Sequence, residues 1–151
     1  MNNRLKLISA FLVMILASVP AFATGLDRAK VIKITGSAQF QKAGTAEWST
    51  LQIGTALTEG DSVKTGEASE IIMELAGAKK TAEIVVRKNS QFVFKTFQHE
   101  EDSRIDTTLL DVSLGAVLVK AEKLTGTSKF EVKTPTSIVG IRGTTFEVKV
   151  A

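Results

Sequence analysis

The end of this chain alternates strictly. Phe130 and Val132 interleave with Glu131 and Lys133, and Phe146, Val148 and Val150 interleave with Glu147 and Lys149. A period of two puts every apolar residue on one face and every charge on the other, which a helix of 3.6 residues per turn cannot do. The stretch therefore reads as half-buried strands. Thr134-Pro135 turns the chain between them, a short strand follows from Ser137, and a glycine turn spans Gly140 to Gly143.

The rest of the chain after residue 24 follows suit. It holds no convincing amphipathic helix, only short β-rich runs separated by turn formers about every 8 to 12 residues. Strands are expected at Ala29 to Thr35 with Ile32 and Ile34 on one face, and at Ser37 to Lys42 with Ala38 and Phe40 inward. Further strands are expected at Asp61 to Thr65, Ser69 to Leu75, Thr81 to Val86, Gln91 to Phe97, Thr107 to Val112 and Leu114 to Lys120. Gly44 opens a loop ending at Trp48, Gly77 to Lys80 forms a break, and the charged run Gln98 to Arg104 reads as an exposed hairpin loop. The fold class is all-β: a single domain of many short, mostly antiparallel strands, a sandwich or roll.

The first residues have the form of a secretory leader. Arg4 and Lys6 precede an apolar run from Leu7 to Ala17, and Ala21-Phe22-Ala23 supplies the small residues that signal peptidase accepts. Cleavage is expected after Ala23, leaving residues 24–151 as the domain. A membrane anchor needs about 20 apolar residues, and Pro20 interrupts this run first. No membrane span is expected after cleavage, and with no cysteine the chain is not expected to be a lipoprotein. Loss of Arg4 and Lys6 lowers the formal net charge from +3 to +1, so nothing in the mature charge balance argues for nucleic acid.

The absence of cysteine excludes a disulfide framework, thiol catalysis and thiolate metal sites. His99 is the only histidine. It stands beside Glu100, Glu101 and Asp102, but neighbours in an extended chain point in different directions, so the run reads as a solvated acidic loop. Neither a metal nor any other cofactor is expected. Glu70 and Glu74 are a conceivable carboxylate pair without a cleft in evidence, and no nucleophile, base and oxyanion donors can be assembled. The chain does not read as an enzyme.

Leu51-Gln52-Ile53-Gly54, Glu59-Gly60-Asp61-Ser62-Val63-Lys64-Thr65-Gly66, Asn89-Ser90 before Phe92, Leu114-Gly115-Ala116-Val117, and Thr134-Pro135 followed by Arg142-Gly143-Thr144 and Phe146 occur in that order. In wording and order the chain resembles the FecR domain over about Val31 to Val150. It departs from the family at Ala76 to Thr81, where an Asp-Gly-Ser type turn is usual. The resemblance implies an extracytoplasmic all-β module of bacterial envelope proteins, periplasmic or secreted. The namesakes add a cytoplasmic anti-sigma segment and a transmembrane helix. Neither is visible in this sequence, so direct anti-sigma activity is not expected.

Two groups of residues stand out as candidate contact sites. Asp61 either bonds the backbone of its own turn or offers a ligand contact at a loop tip. Arg142 either pins its turn through an ion pair or carbonyl contacts, or binds a carboxylate or phosphate together with the backbone N–H groups of Gly143 and Thr144. Trp48 reads as a cap on the core, and Phe40, Phe92, Phe94, Phe130 and Phe146 read as core. Lys79-Lys80 and Arg87-Lys88 read as solvated turn charges.

The expected function is a secreted, non-enzymatic module that contacts another envelope protein, or senses, in signalling or assembly. A strand edge with unpaired N–H and C=O groups is one available mode, and Glu147, Lys149 and the last residues are the candidate edge. The alternative is a structural envelope protein, self-associating or attached to the wall. The sequence does not name the partner, the oligomeric state or the strand order.

Overall fold

The computed structural model describes residues 28–76, 80–100, 105–123 and 128–151. The leader, the start of the Gly77 break and residues 101–104 of the charged 98–104 run lie outside the described residues. Twelve strands follow in order: β1 (Arg28–Thr35), β2 (Ala38–Gln41), β3 (Trp48–Thr50), β4 (Ala56–Leu57), β5 (Ser62–Thr65), β6 (Glu70–Ala76), β7 (Lys80–Val86), β8 (Gln91–Glu100), β9 (Ile105–Ala121), β10 (Lys129–Lys133), β11 (Ile138–Ile141) and β12 (Thr145–Val150). There is no helix among the described residues, and so none long and apolar enough to cross a membrane.

The strand β9 organises the fold. Its first half pairs with β8 on one edge and, in parallel, with β10 on the other. Its second half pairs antiparallel with β7 and β12. One sheet therefore runs β3-β2-β5-β8-β9-β10-β11 and the other runs β12-β9-β7-β6-β1-β4. The two share β9 and curl over one core. The expected all-β, mostly antiparallel domain is what the chain forms, and the two runs expected at Thr107 to Val112 and Leu114 to Lys120 are one strand.

The bend in β9 has a local cause. The register against β8 jumps between Gln91↔Leu114 and Phe92↔Val112, leaving Ser113 as a bulge. Gly115 then takes φ +89, and a Cβ there would lie 2.5 Å from Ser90 Cα. Only glycine allows both the backbone angle and the close approach. The Ser90 hydroxyl oxygen accepts the Ala116 N–H at 3.0 Å, and the Ser90 N–H donates to Thr65 Oγ1 at 3.0 Å. The Thr65 hydroxyl donates in turn to the Arg87 carbonyl at 2.6 Å. This buried polar knot ties β5 of one sheet to the ends of β7 and β8 where the sheets meet.

Alternate residues of both sheets fill the core. Val63, Phe92, Phe94, Leu110, Val112 and Val132 come from one, and Val31, Ile71, Met73, Ile84, Val86, Val117 and Val119 from the other. Each such side chain stabilises the fold by about 1.5–3 kcal/mol relative to exposure. Phe92 and Phe94 meet edge to face with ring centroids 5.2 Å apart.

Four expectations are corrected by the packing. A β-bulge between Val31 and Lys33 leaves Ile32 36% exposed and turns Ala29, Val31 and Ile34 toward the core. Phe40 and Phe146 are half-buried and pack against the core margin. Trp48 begins the edge strand β3 and stacks under the Lys64 ammonium, 4.1 Å from the ring centroid, outside the core cluster. The 98–104 loop is shorter than expected, because Gln98, His99 and Glu100 already pair with Thr107, Asp106 and Ile105.

Candidate functional site

The outer face of the sheet β12-β9-β7-β6-β1 carries residues in cross-strand rows. Ile72 lies opposite Val85, Val85 opposite Leu118, and Leu118 opposite Glu147. These apolar neighbours shield one another, and Val85 is only 5% exposed although it points away from the core. Beyond it the Glu70–Arg87 ion pair, the hydrogen bond from the Arg87 N–H to the Ala116 carbonyl and the pairing of Ala116 with Lys149 bring these four residues together. The Arg87 guanidinium pairs with the Glu70 carboxylate and lies 3.7 Å from Glu147. Arg87, expected as a solvated turn charge, thus joins the ends of β6, β7 and β12.

A groove of about 800 Å³ runs along this end of the sheet. The β9 bend (Leu114 to Ala116), the ion-paired row and the end of β12 line it. Leu114 is 48% exposed at the bend, a large apolar side chain held out of the core by the Ser113 bulge. Arg87, Lys88, Glu147 and Lys149 supply the charged lining. An apolar floor with a few placed charges is the composition of a binding surface.

Asp61 sits elsewhere, in the turn between β4 and β5, fully buried. Its Oδ2 accepts the Lys42 ammonium at 2.7 Å and the Thr58 N–H at 2.9 Å, and its Oδ1 accepts the Ala43 N–H at 2.9 Å. Burial pushes this carboxyl up, but the Lys42 ammonium and the two N–H donors outweigh it and hold the group below its ordinary value.

Arg142, Gly143 and Thr144 form the turn between β11 and β12. Arg142 is exposed, lines a recess of about 300 Å³ beside Phe130 and Glu131, and has no ion pair among the described residues. Gly143 takes φ +99, and a Cβ there would lie 2.7 Å from Lys123 Cα. The Thr144 carbonyl accepts the Ala121 N–H at 3.3 Å. Strands β8 and β9 stand between this turn and Asp61, so the two candidate contact points are not one site.

Among the described residues no three His, Asp or Glu side chains are placed to hold a metal ion. The His99–Asp102 run lies outside the side chains described. The groove leaves no contiguous pattern in the sequence. Its lining comes from the end of β1, the turn into β6, the turn between β7 and β8, the β9 bend and β12, and the one local signal is the apolar Leu114 directly before a glycine.

The fold defines a class: an all-β module of one curled, mostly antiparallel sheet, with no helix among the described residues. Within that class the chain belongs to the FecR family, whose model, described as FecR protein, matches residues 61–151. The match opens at Asp61 and includes the β9 bend, the Arg142 turn and β12. Membership suggests a signalling or sensing module of the envelope. Neither a curated protein nor a solved structure matches the chain.

Proposed function

We propose that this protein is a secreted, non-enzymatic contact or sensing module of the bacterial envelope, active in signalling or assembly, and that a protein partner docks in the groove at the β9 bend. The observation that carries this is Leu114: a half-exposed leucine, set beside the Glu70–Arg87–Glu147 charges in a concave surface. Apolar anchors rimmed by charge carry most of the energy of protein contacts. Arg142, with the N–H groups of Gly143 and Thr144, is proposed as a second contact for a carboxylate of the partner. Asp61 enters the proposal through the turn it holds.

The test is capture from envelope extract by wild-type protein and by Leu114→Asp. The leucine is exposed, so the variant should fold, while a charge in the groove should reduce capture by about tenfold or more. Equal capture by both proteins would remove the groove from the proposal. The second reading, a self-associating structural protein, draws on a different observation, the edge of β12 that no described strand covers.

A further inference from the structure

The strand β12 has one partner strand among the described residues, β9. The hydrogen bonds reveal which of its backbone groups face outward. The Ala121 N–H donates to the Thr144 carbonyl, and the Arg87 N–H donates to the Ala116 carbonyl. In an antiparallel ladder bonded pairs recur every second residue. Phe146, Val148 and Val150 therefore bond to β9, and the N–H and C=O groups of Thr145, Glu147 and Lys149 point to the open edge. On one face of this edge stand Glu147 and Lys149, 3.3 Å apart. On the other, Phe146 and Val150 are only half-buried.

We infer that this edge pairs with the same edge of a second copy, antiparallel, about a two-fold axis at Val148. The register follows from chemistry. Bonded pairs must join outward-facing residues, so within the strand Thr145, Glu147 and Lys149 can meet only one another. A two-fold at Glu147 sets carboxylate against carboxylate, and one at Lys149 sets ammonium against ammonium; like charges directly opposite are destabilising. A two-fold at Phe146 sends Lys149 opposite Gly143, beyond the strand. With the axis at Val148, Glu147 faces Lys149 of the second copy and Lys149 faces its Glu147. The four charges close into a ring in which every neighbour has the opposite sign. On the inner face Phe146 comes opposite Val150 and Val148 opposite itself, covering the half-buried margin. A closed two-fold also consumes the free edge on both copies and stops further strand addition.

The inference shares Glu147 and Lys149 with the groove but does not use Leu114, and its test is sedimentation of protein purified from cells expressing the full chain. Wild type should pass from monomer to dimer by about 0.1 mM. Glu147→Lys and Lys149→Glu should each weaken self-association by about tenfold or more, since every cross-strand pair becomes repulsive. Mixed in equal amounts, the two variants should dimerise with each other, because lysines then face glutamates at every position.

The chain has no cysteine, so Val148→Cys introduces a single thiol. Residues opposite each other at a non-bonded position stand about 4.5 Å apart at Cα, within disulfide reach, so mild oxidation should give a covalent dimer. Should the buried Val148→Cys fail to fold, the two exposed charge variants still decide. A wild type that stays monomeric, variants that dimerise as wild type does, or a dimer that Val148→Cys does not cross-link would each overturn the inference. Leu114→Asp should leave the dimer intact, so a loss of partner capture alone speaks only to the groove.

Discussion

Lys42 and Asp61 stand 19 residues apart and close one loop onto another. The Lys42 ammonium donates at 2.7 Å to a carboxylate with no exposed surface, while its own side chain remains about half exposed. The same carboxylate accepts the N–H groups of Ala43 and Thr58. It therefore fixes the chain on both sides of the β3 and β4 excursion, and the backbone at Asp61 bonds across to Phe94 of β8. A buried carboxylate is tolerated because each oxygen meets donors.

This clamp should be visible in the pH dependence of stability. The folded carboxyl lies below its ordinary value, so between the two values the unfolded state binds more protons and stability rises with pH. The contribution is complete above the ordinary aspartate range and is lost as pH falls through the lower, folded value. Urea midpoints of wild type and Asp61→Asn, compared from about pH 6 to about pH 2, should differ most at the upper end and converge at the lower. At neutral pH the variant should cost about 1–3 kcal/mol, because an amide turns one acceptor into a donor facing N–H groups. A gap that stays constant with pH would show that the carboxylate charge is not what holds the turn.

Gly143→Val should be among the most damaging changes at the surface. The position combines φ +99 with a Cβ 2.7 Å from Lys123 Cα, and that neighbour is backbone, which cannot swing aside. Strain of this kind costs about 1–3 kcal/mol. Gly44→Ala is the control: φ is +75 but nothing lies within 4 Å, so only the conformational cost remains, about 1 kcal/mol. Thermal melts of the two variants should rank in that order, and equal shifts would mean that the approach to Lys123 has no energetic weight.

What could be read in the sequence was what repeats every two residues. Phe130, Val132 and Val148 are buried as their alternation requires, because that pattern follows from the pleat alone. Ile32 escaped, since a bulge shifts the parity and leaves no mark in the pattern. Gly115 signals a special backbone angle, but a turn and a bend within one strand use glycine alike. Only the pairing of β9 with β7, β8, β10 and β12 tells them apart. Asp61 was legible as a turn residue; its partner Lys42 was not, because the contact is made by the folded sheet. The groove is hidden for the same reason, since Glu70, Leu114 and Lys149 meet only through strand order.

Phe146→Ala should cost less than a core truncation. The ring packs on the core margin from an edge strand and is half-buried, so about 1–3 kcal/mol is expected, against about 3–5 kcal/mol for fully buried Phe92→Ala. Chemical denaturation in dilute solution, where monomer prevails, checks the difference. If the two losses are equal, the ring is covered by something beyond the described residues.

Arg142→Ala separates stability from contact. The side chain is exposed and has no ion pair among the described residues, so its removal should change the unfolding free energy by no more than about 0.5 kcal/mol. Its planar guanidinium suits a carboxylate held in two parallel hydrogen bonds, a geometry that lysine does not reproduce. Arg142→Lys should therefore fold like wild type yet share most of the binding defect of Arg142→Ala in capture from envelope extract. Recovery of capture by the lysine would reduce Arg142 to a general positive charge, and a large loss of stability in either variant would return it to the role of pinning its own turn.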